Sequence, residues 1–577
     1  MACRWHPVQD MSRPLRVWAP RAARVDFVLE GQAIAAIREA DGWWRGPAVG
    51  GGTRYAICVD GGPPRPDPRS PWQPDGVHAA SSWIDQADLG PPMALHGGPV
   101  ALRDAVIYEL HVGTFTPGGR FDSAIAHLDD LVALGVTHVE LMPVAQFSGA
   151  HGWGYDGVDL FAAHAAYGGP SGLRELIRQC HRRGLAVLID SVLNHFGPEG
   201  AYVSEFGPYR TSRHQTPWGD AVNLDGPDCR EVRRFLIDSA LTWLADYGAD
   251  GLRLDAVHAF RDDSARHFVA ELVDEVRALE RRLERPLVVI GEFDDHDPLA
   301  VRERAAGGWG LDAHWNDDFH HAVHALVTGE RVGYYTDFAE PGTLERVLRA
   351  GYALDGRFSP YRKGPHGRPY GDLPRDRLVA YIQSHDQTGN RAAGERLHEL
   401  AGIDRTKIAA AILMVSPFVP MLFQGEEWAA STPFCYFADV ESAELREAIR
   451  AGRRAEHAEY AETGGAPPDP VDPATRELCV LRWQERSEPR HADMLAWYGA
   501  LIGARRRHPE LRDPAPASID VSRRGDLLAI RRGGLVLACN LGDGPAVLDL
   551  GGDIVLASTG LASARELPPR SCALVRR

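Results

Sequence analysis

No hydrophobic stretch in this chain reaches the ~18–20 residues that a bilayer-spanning helix needs. Met1-Ala2-Cys3-Arg4-Trp5-His6-Pro7 carries no apolar signal-peptide core, so a cytoplasmic protein is expected. Cysteine is sparse. The eight (Cys3, Cys58, Cys180, Cys229, Cys435, Cys479, Cys539, Cys572) are scattered without a C-x-x-C, which reads as reduced thiols rather than a disulfide frame or zinc site. Excess positive charge is also missing. Lys+Arg of 63 against Asp+Glu of 79 leaves −16, which disfavours nucleic acid or an anionic membrane as partner. His320, His321 and His324 have helical i, i+4 spacing but lack the glutamate of a zinc-protease motif, so no metal is expected there.

What is present is an ordinary globular composition, 44% hydrophobic and 25% charged, over 577 residues. That length suggests about two to four domains. Short β-rich runs at Leu15–Trp18, Arg24–Leu29 and Arg54–Val59, separated by turn residues, predict a small β-sandwich. Trp18, Trp43 and Trp44 belong either to its core or to a platform for sugar rings. Residues 61–98, rich in proline and glycine, read as an irregular linker lying against the next domain. Strands and helices then alternate. Strands are expected at Val106–Val112, Val136–Val144, Leu185–Asn194, Gly251–Val257, Pro286–Glu292, Leu311–Asn316, Leu378–Asp386 and Val419–Glu426. Helices are expected over Phe121–Gly135 and over Ser171–Gly184, the latter with Ser171 as N-cap. Near-continuous apolar strands alternating with helices indicate an α/β fold with a parallel sheet, and the count favours a (β/α)8 TIM barrel. The first βα turn carries no G-x-G-x-x-G, which counts against a doubly wound nucleotide-binding sheet. Beyond residue 510 short strands return (Leu527–Ile530, Leu535–Asn540, Ala546–Leu550, Ile554–Ala557), suggesting a C-terminal antiparallel β-sandwich. The expected division is 1–98, 99–509 and 510–577.

Chemistry in such a barrel collects at the C-terminal strand ends. Read in turn, those ends give Asp190…Asn194-His195, then Arg253…Asp255…His258, then Glu292, then His385-Asp386. In Gly251-Leu252-Arg253-Leu254-Asp255, strand alternation puts Arg253 and Asp255 on one face, where the cation keeps the carboxylate ionised. An isolated R-x-D is also a common structural pair. Several acids with neutral donors, but no Ser or Cys nucleophile, point to glycosidic bond chemistry. Asp317 and Asp318 open a helix past the sixth strand, and serve as N-terminal helix acids, sugar ligands, or both.

Asp190-Ser191-Val192-Leu193-Asn194-His195, Gly251–Asp255, Gly291-Glu292 and Ser384-His385-Asp386 resemble the four signature regions of the α-amylase superfamily. Longer stretches, YELHVGTFTPGGRF (108–121), DGLRLDAVHAF (250–260), HWNDDFHHAVHALVTGE (314–330), QSHDQTGNR (383–391) and FQGEEWAASTPFCYF (423–437), resemble one branch of it. That branch comprises the glycosidases that release trehalose from maltooligosyltrehalose. RVWAP (16–20) is similar to the N-terminal sandwich of that branch and of branching enzymes. The resemblance implies Asp255 as nucleophile, Glu292 as general acid/base and Asp386 as transition-state stabiliser. Phe293, where the family usually shows a small polar residue, leaves the acid open between Glu292 and the aspartates to 297. Substrate contacts are implied for Tyr155 and Asp156, for His195, and for Arg253, Ala256 and His258. In the sixth-strand motif they fall on Asn316, Asp317, Asp318, Phe319 and His320, and in the last region on His385, Gln387 and Asn390. Trp153 and Trp218 are expected beside residues 315–321 at the leaving-group sites. In many amylases the asparagine matching Asn194 binds calcium, but no second ligand cluster accompanies it here, so neither metal nor cofactor is expected. The implied partners are an α-glucan substrate, maltooligosyltrehalose, and a pathway partner, a maltooligosyltrehalose synthase. A branching or debranching enzyme and a non-catalytic carbohydrate-binding barrel are the alternatives.

Overall fold

A computed structural model describes residues 14–85, 89–458, 467–547, 552–560 and 566–577. Met1–Pro7, with Cys3, and the end of the expected strand Ala546–Leu550 lie outside those residues. At the centre is a closed barrel of eight parallel strands. They are β1 (Ile107–Leu110), β2 (His138–Leu141), β3 (Ala186–Ser191), β4 (Gly251–Leu254), β5 (Val288–Gly291), β6 (Ala313–Trp315), β7 (Leu378–Ala380) and β8 (Val419–Phe423). Each pairs with the next and β8 closes onto β1, with Met421 opposite Ile107. This is the expected TIM barrel, sixth strand included.

Side-chain alternation explains how the barrel presents acids on one end. Ile107, Leu188, Val288, Ile290, Ala313, Trp315, Val379 and Met421 form an apolar plug inside it. Two residues further along the same faces come Glu109, Asp190, Arg253 and Glu292, and Glu140 follows His138 in the same way. The inward face of each of these strands thus runs from packed or small at the bottom to ionisable at the top. Burial of Glu140 beneath this rim leaves both its oxygens without a partner and pushes its carboxyl well up.

Two local expectations are corrected. Phe121–Gly135 forms two helices, Phe121–Ile125 and Leu128–Leu134, the second ending on left-handed Gly135. The next helix spans Gly169–Arg182 with Gly168 at its N-cap. Pro170, preset for a first helical turn, starts it ahead of Ser171.

Before the barrel, two small antiparallel sheets hold strands between Pro14 and Ser82. Trp18 and Trp44 are buried in their core. Trp43, half-buried, turns its indole N–H toward Glu231 at 3.3 Å, on helix Cys229–Ala245. The proline-rich segment lies on the barrel through an Arg69–Asp238 ion pair of 2.9 Å, and Ser81–Ser82 joins the sheet of Arg54–Val59. After the barrel, a five-stranded antiparallel sheet spans Ile519–Arg576. No helix among the described residues is long and apolar enough to cross a membrane.

Candidate active site

Arg253 organises the barrel mouth. Fully buried, it donates through Nη1 to Asp190 (2.9 Å to Oδ2) and to Asp255 Oδ1 (2.9 Å). Through Nη2 it donates to Glu292 Oε2 at 3.0 Å. Its guanidinium lies over the Trp315 ring, 4.3 Å from the centroid, which fixes the fork from the side. One cation therefore spaces three carboxylates.

The carboxylates do not share it equally. Burial would raise the Asp255 carboxyl, but Arg253, His195 and a 2.8 Å hydrogen bond from Asn194 Nδ2 hold it below its ordinary value. For Glu292 burial comes first, and with Asp255, Asp386 and Asp317 it outweighs Arg253 and raises the acid well above the usual range. The two carboxyls are thus pushed in opposite directions, the pattern that separates a nucleophile from a general acid. Glu292 also accepts the Ala256 N–H at 2.9 Å. That N–H is aimed by a left-handed alanine (φ 39), a strained conformation that only the surrounding contacts sustain.

The neighbours complete a ring. Tyr155 donates its hydroxyl to Asp190 at 2.6 Å and stacks on His385 (5.0 Å between centroids). Gly154 makes its approach possible, since a Cβ there would lie 2.2 Å from the Pro143 carbonyl oxygen. His195 donates through Nε2 to the Tyr155 carbonyl at 3.1 Å, and its ring is stacked under Trp218 (4.4 Å, 2°). Asn194 spends its side chain on Asp255 and His195. Asp386 sits in the first turn of helix His385–Gly389, capped by Ser384, with Asn390 Nδ2 at 3.5 Å.

Two cavities meet over this ring. The first, about 440 Å³, is lined by Trp153, Tyr155, Asp156, His195, Trp218, Asp255, Tyr436 and Arg453. The second, about 410 Å³, is lined by Asp294, His296, Asp317, Asp318, Tyr361, Arg362 and Gln387. His258, Glu292, Asp386 and Asn390 belong to both, whereas Asp255 faces only the first.

The geometry brings most expected site residues together and displaces others. Asn316 is an N-cap: Oδ1 accepts Phe319 N–H at 3.3 Å and Nδ2 donates to Gly351 O at 3.1 Å, so its amide faces the fold. Phe319 is core, packed edge-on against Phe418. His320 is buried against His321 and His324, and His321 faces the second cavity instead. Asp317 and Asp318 do line that cavity. Burial raises each to about 7, while Gln387 donates to Asp317 at 3.1 Å and the Leu354 N–H to Asp318 at 3.1 Å. Trp153 and Trp218 line the opposite cavity, against the expectation that they flank residues 315–321, because their loops rise from other strands. Among the acids after β5, Glu292 alone touches Arg253. Asp294 pairs with Arg362, Asp297 caps the turn at Leu299, Asp295 is exposed, and Phe293 is buried against Trp309. Sequence reasoning missed Tyr436, Arg453 and Arg362. They come from loops and a helix (Ala443–Ala458) outside the barrel repeat, where no periodicity marks them.

A closed parallel barrel with two acids paired on one arginine at its C-terminal rim is the architecture of α-amylase-type glycoside hydrolases. The alpha-amylase catalytic-domain model matches residues 86–218, and a domain of unknown function matches 512–574. The Malto-oligosyltrehalose trehalohydrolase of Arthrobacter ramosus is 48% identical, over 95% of this chain and 96% of its own. That of Mycobacterium tuberculosis is 46% identical, over 94% and 95%. A solved Salmonella typhimurium structure, named as a candidate alpha amylase, superposes with TM-score 0.91 at 37% identity, each chain fully covered. The chain belongs to the malto-oligosyltrehalose trehalohydrolase family of the α-amylase superfamily.

Proposed function

We propose that this protein hydrolyses the α-1,4 bond next to the terminal trehalose unit of maltooligosyltrehalose, with retention, releasing trehalose and a maltooligosaccharide. The observation carrying the chemistry is the pair of carboxylates held on one buried guanidinium, Asp255 on Nη1 and Glu292 on Nη2, with Asp255 lowered and Glu292 raised from their ordinary values. Asp255, ionised, attacks the anomeric carbon and forms a glycosyl-enzyme. Glu292 protonates the departing trehalose oxygen, then takes a proton from the water that releases the glucan. Asp386 binds ring hydroxyls more tightly as the ring flattens, and His385, His195 and Tyr155 hold the same sugar. Because Asp255 faces only the first cavity and Glu292 faces both, the glucan occupies the first and the leaving trehalose the second. His258, Asn390, Gln387, Asp317 and Asp318 then stand where the two sugars of the cleaved bond and the trehalose ring lie.

This reading carries the rest of the assignment: three domains at 1–98, 99–509 and 510–577, a cytoplasmic location, and a maltooligosyltrehalose synthase as supplier of substrate. The deciding experiment compares products from maltooligosyltrehalose and from plain maltooligosaccharide. Free trehalose released quickly from the first, with slow attack on the second, is expected. Equal kcat/KM on both, or branched products without trehalose, rejects it.

A further inference from the structure

Glu109 stands on the inward face of β1, 1% exposed, and lines neither cavity. Both its oxygens have one target. Oε2 accepts the backbone N–H of His385 at 3.1 Å, and Oε1 accepts the ring N–H at Nδ1. The other ring nitrogen, Nε2, lies 3.4 Å from Oδ1 of Asp386. Tyr155 stacks on the ring and Trp153 meets it edge-on at 5.4 Å, so the ring has no freedom to turn.

We infer that Glu109 is a positioning residue for the glycosidase reaction, fixing the direction and proton of His385 and, through Nε2, the carboxylate of Asp386. The inference rests on reading His385 and Asp386 as groups that hold the reacting sugar. Its physical basis is the donor count of imidazole. A neutral ring carries one N–H, and only the imidazolium offers a donor to carboxylates at both nitrogens. The charged and titratable groups facing the ring are Glu109 from β1 with His111 beyond it, Glu140 from β2, and Asp190 from β3. Arg253 from β4, Tyr155 from its loop and Asp386 from its own helix face it as well. Burial pulls the ring down, but Asp386 and Glu109 together outweigh it and Arg253, raising His385 to about 9. Lining neither cavity, Glu109 reaches the cleft through His385, by its ring and by its backbone N–H.

Two variants separate charge from shape. Glu109→Gln keeps the shape and removes the charge, while Glu109→Asp keeps the charge and shortens the reach. The imidazole ¹⁵N signal of His385, assigned by its loss in His385→Gln, is followed without substrate from about pH 6 to about pH 10. In the native chain the midpoint lies above neutrality. It falls by roughly one to three pH units in Glu109→Gln and stays near the native value in Glu109→Asp. On maltooligosyltrehalose, kcat of Glu109→Gln drops roughly 10–100-fold, the scale of losing an orienting partner, with little change in KM. That loss deepens as pH rises through the lowered midpoint. A folded Glu109→Gln with an unchanged His385 midpoint, or equal losses in both variants at every pH, overturns the proposal. If Glu109→Gln does not fold, the native chain still decides: a neutral His385 at about pH 7 overturns it alone. The titration uses no substrate, so its failure is distinct from failure of the glycosidase reading.

Discussion

The first cavity is walled by Trp153, Trp218 and Tyr436 around Tyr155, whereas the second sets four charged side chains, Asp294, Asp317, Asp318 and Arg362, beside its own aromatics Tyr334, Phe338 and Tyr361. Aromatic faces bind any glucose ring through its apolar side and tolerate sliding. Buried acids with fixed partners bind hydroxyls in set directions and leave unpaired groups when the ring is wrong. On the proposed placement of the two sugars, the first cavity is the tolerant half and the second, with its buried acids, the discriminating half. Arg253 and its carboxylates lie between them and serve both.

The largest expected effect comes from removing what the halves share. Asp255→Asn keeps the shape and the Asn194 contact but removes the attacking charge. It should cut kcat by about 10⁴-fold or more on every substrate, with binding retained. More than about a tenth of native activity would show that another group attacks.

Next is Glu292→Gln, which sharpens the boundary. It should cost about 10²–10⁴-fold on the natural glucan and far less on an aryl glycoside whose leaving group needs no proton. A larger loss from Asp294→Asn would move the acid into the second cavity. The same pair fixes the pH profile. In the proposed roles Asp255 works ionised and Glu292 protonated. Activity is therefore lost as pH falls through the lowered Asp255 value and again as pH rises through the raised Glu292 value. A kcat/KM profile whose alkaline limb lies at an ordinary carboxylate value would contradict the split.

A smaller effect tests the discriminating half. Asp317→Ala removes the acceptor of Tyr381 and Gln387. The preference for maltooligosyltrehalose over plain maltooligosaccharide should shrink by about 10–100-fold, with the slow background less affected. The smallest belongs to the tolerant half. Tyr436→Ala, which also removes the face under Arg453 (4.4 Å), should raise KM for both substrates by roughly 2–10-fold without changing their ratio. If the ratio moves with Tyr436 and not with Asp317, the assignment of the halves is reversed.

The four strand-end motifs were legible in the chain because each is local. Arg253 and Asp255 share a strand face, Glu292 follows an apolar run, and Ser384 caps the turn that carries Asp386. The eight-strand barrel was legible for the same reason, since apolar runs and helical periods are short-range signals. Asn316 and Phe319 were not, because a motif shows which residues cluster in sequence and not which side chains turn inward. At the head of helix Asp317–Thr328 the amide of Asn316 goes to capping, and Phe319 falls on the core-facing side.

By itself, then, the sequence determined the elements, their order and the acids at their ends, all set by alternation, capping and apolar periodicity over a few residues. The Arg253–Asp255 pair was in the sequence, but tertiary structure alone decided that Asp190 and Glu292 share the same guanidinium and that burial raises Glu292. It also set Trp218 and Arg362 on opposite sides of Glu292. Those outcomes depend on the closure of the barrel and on desolvation, which join residues far apart along the chain and leave no trace in local spacing.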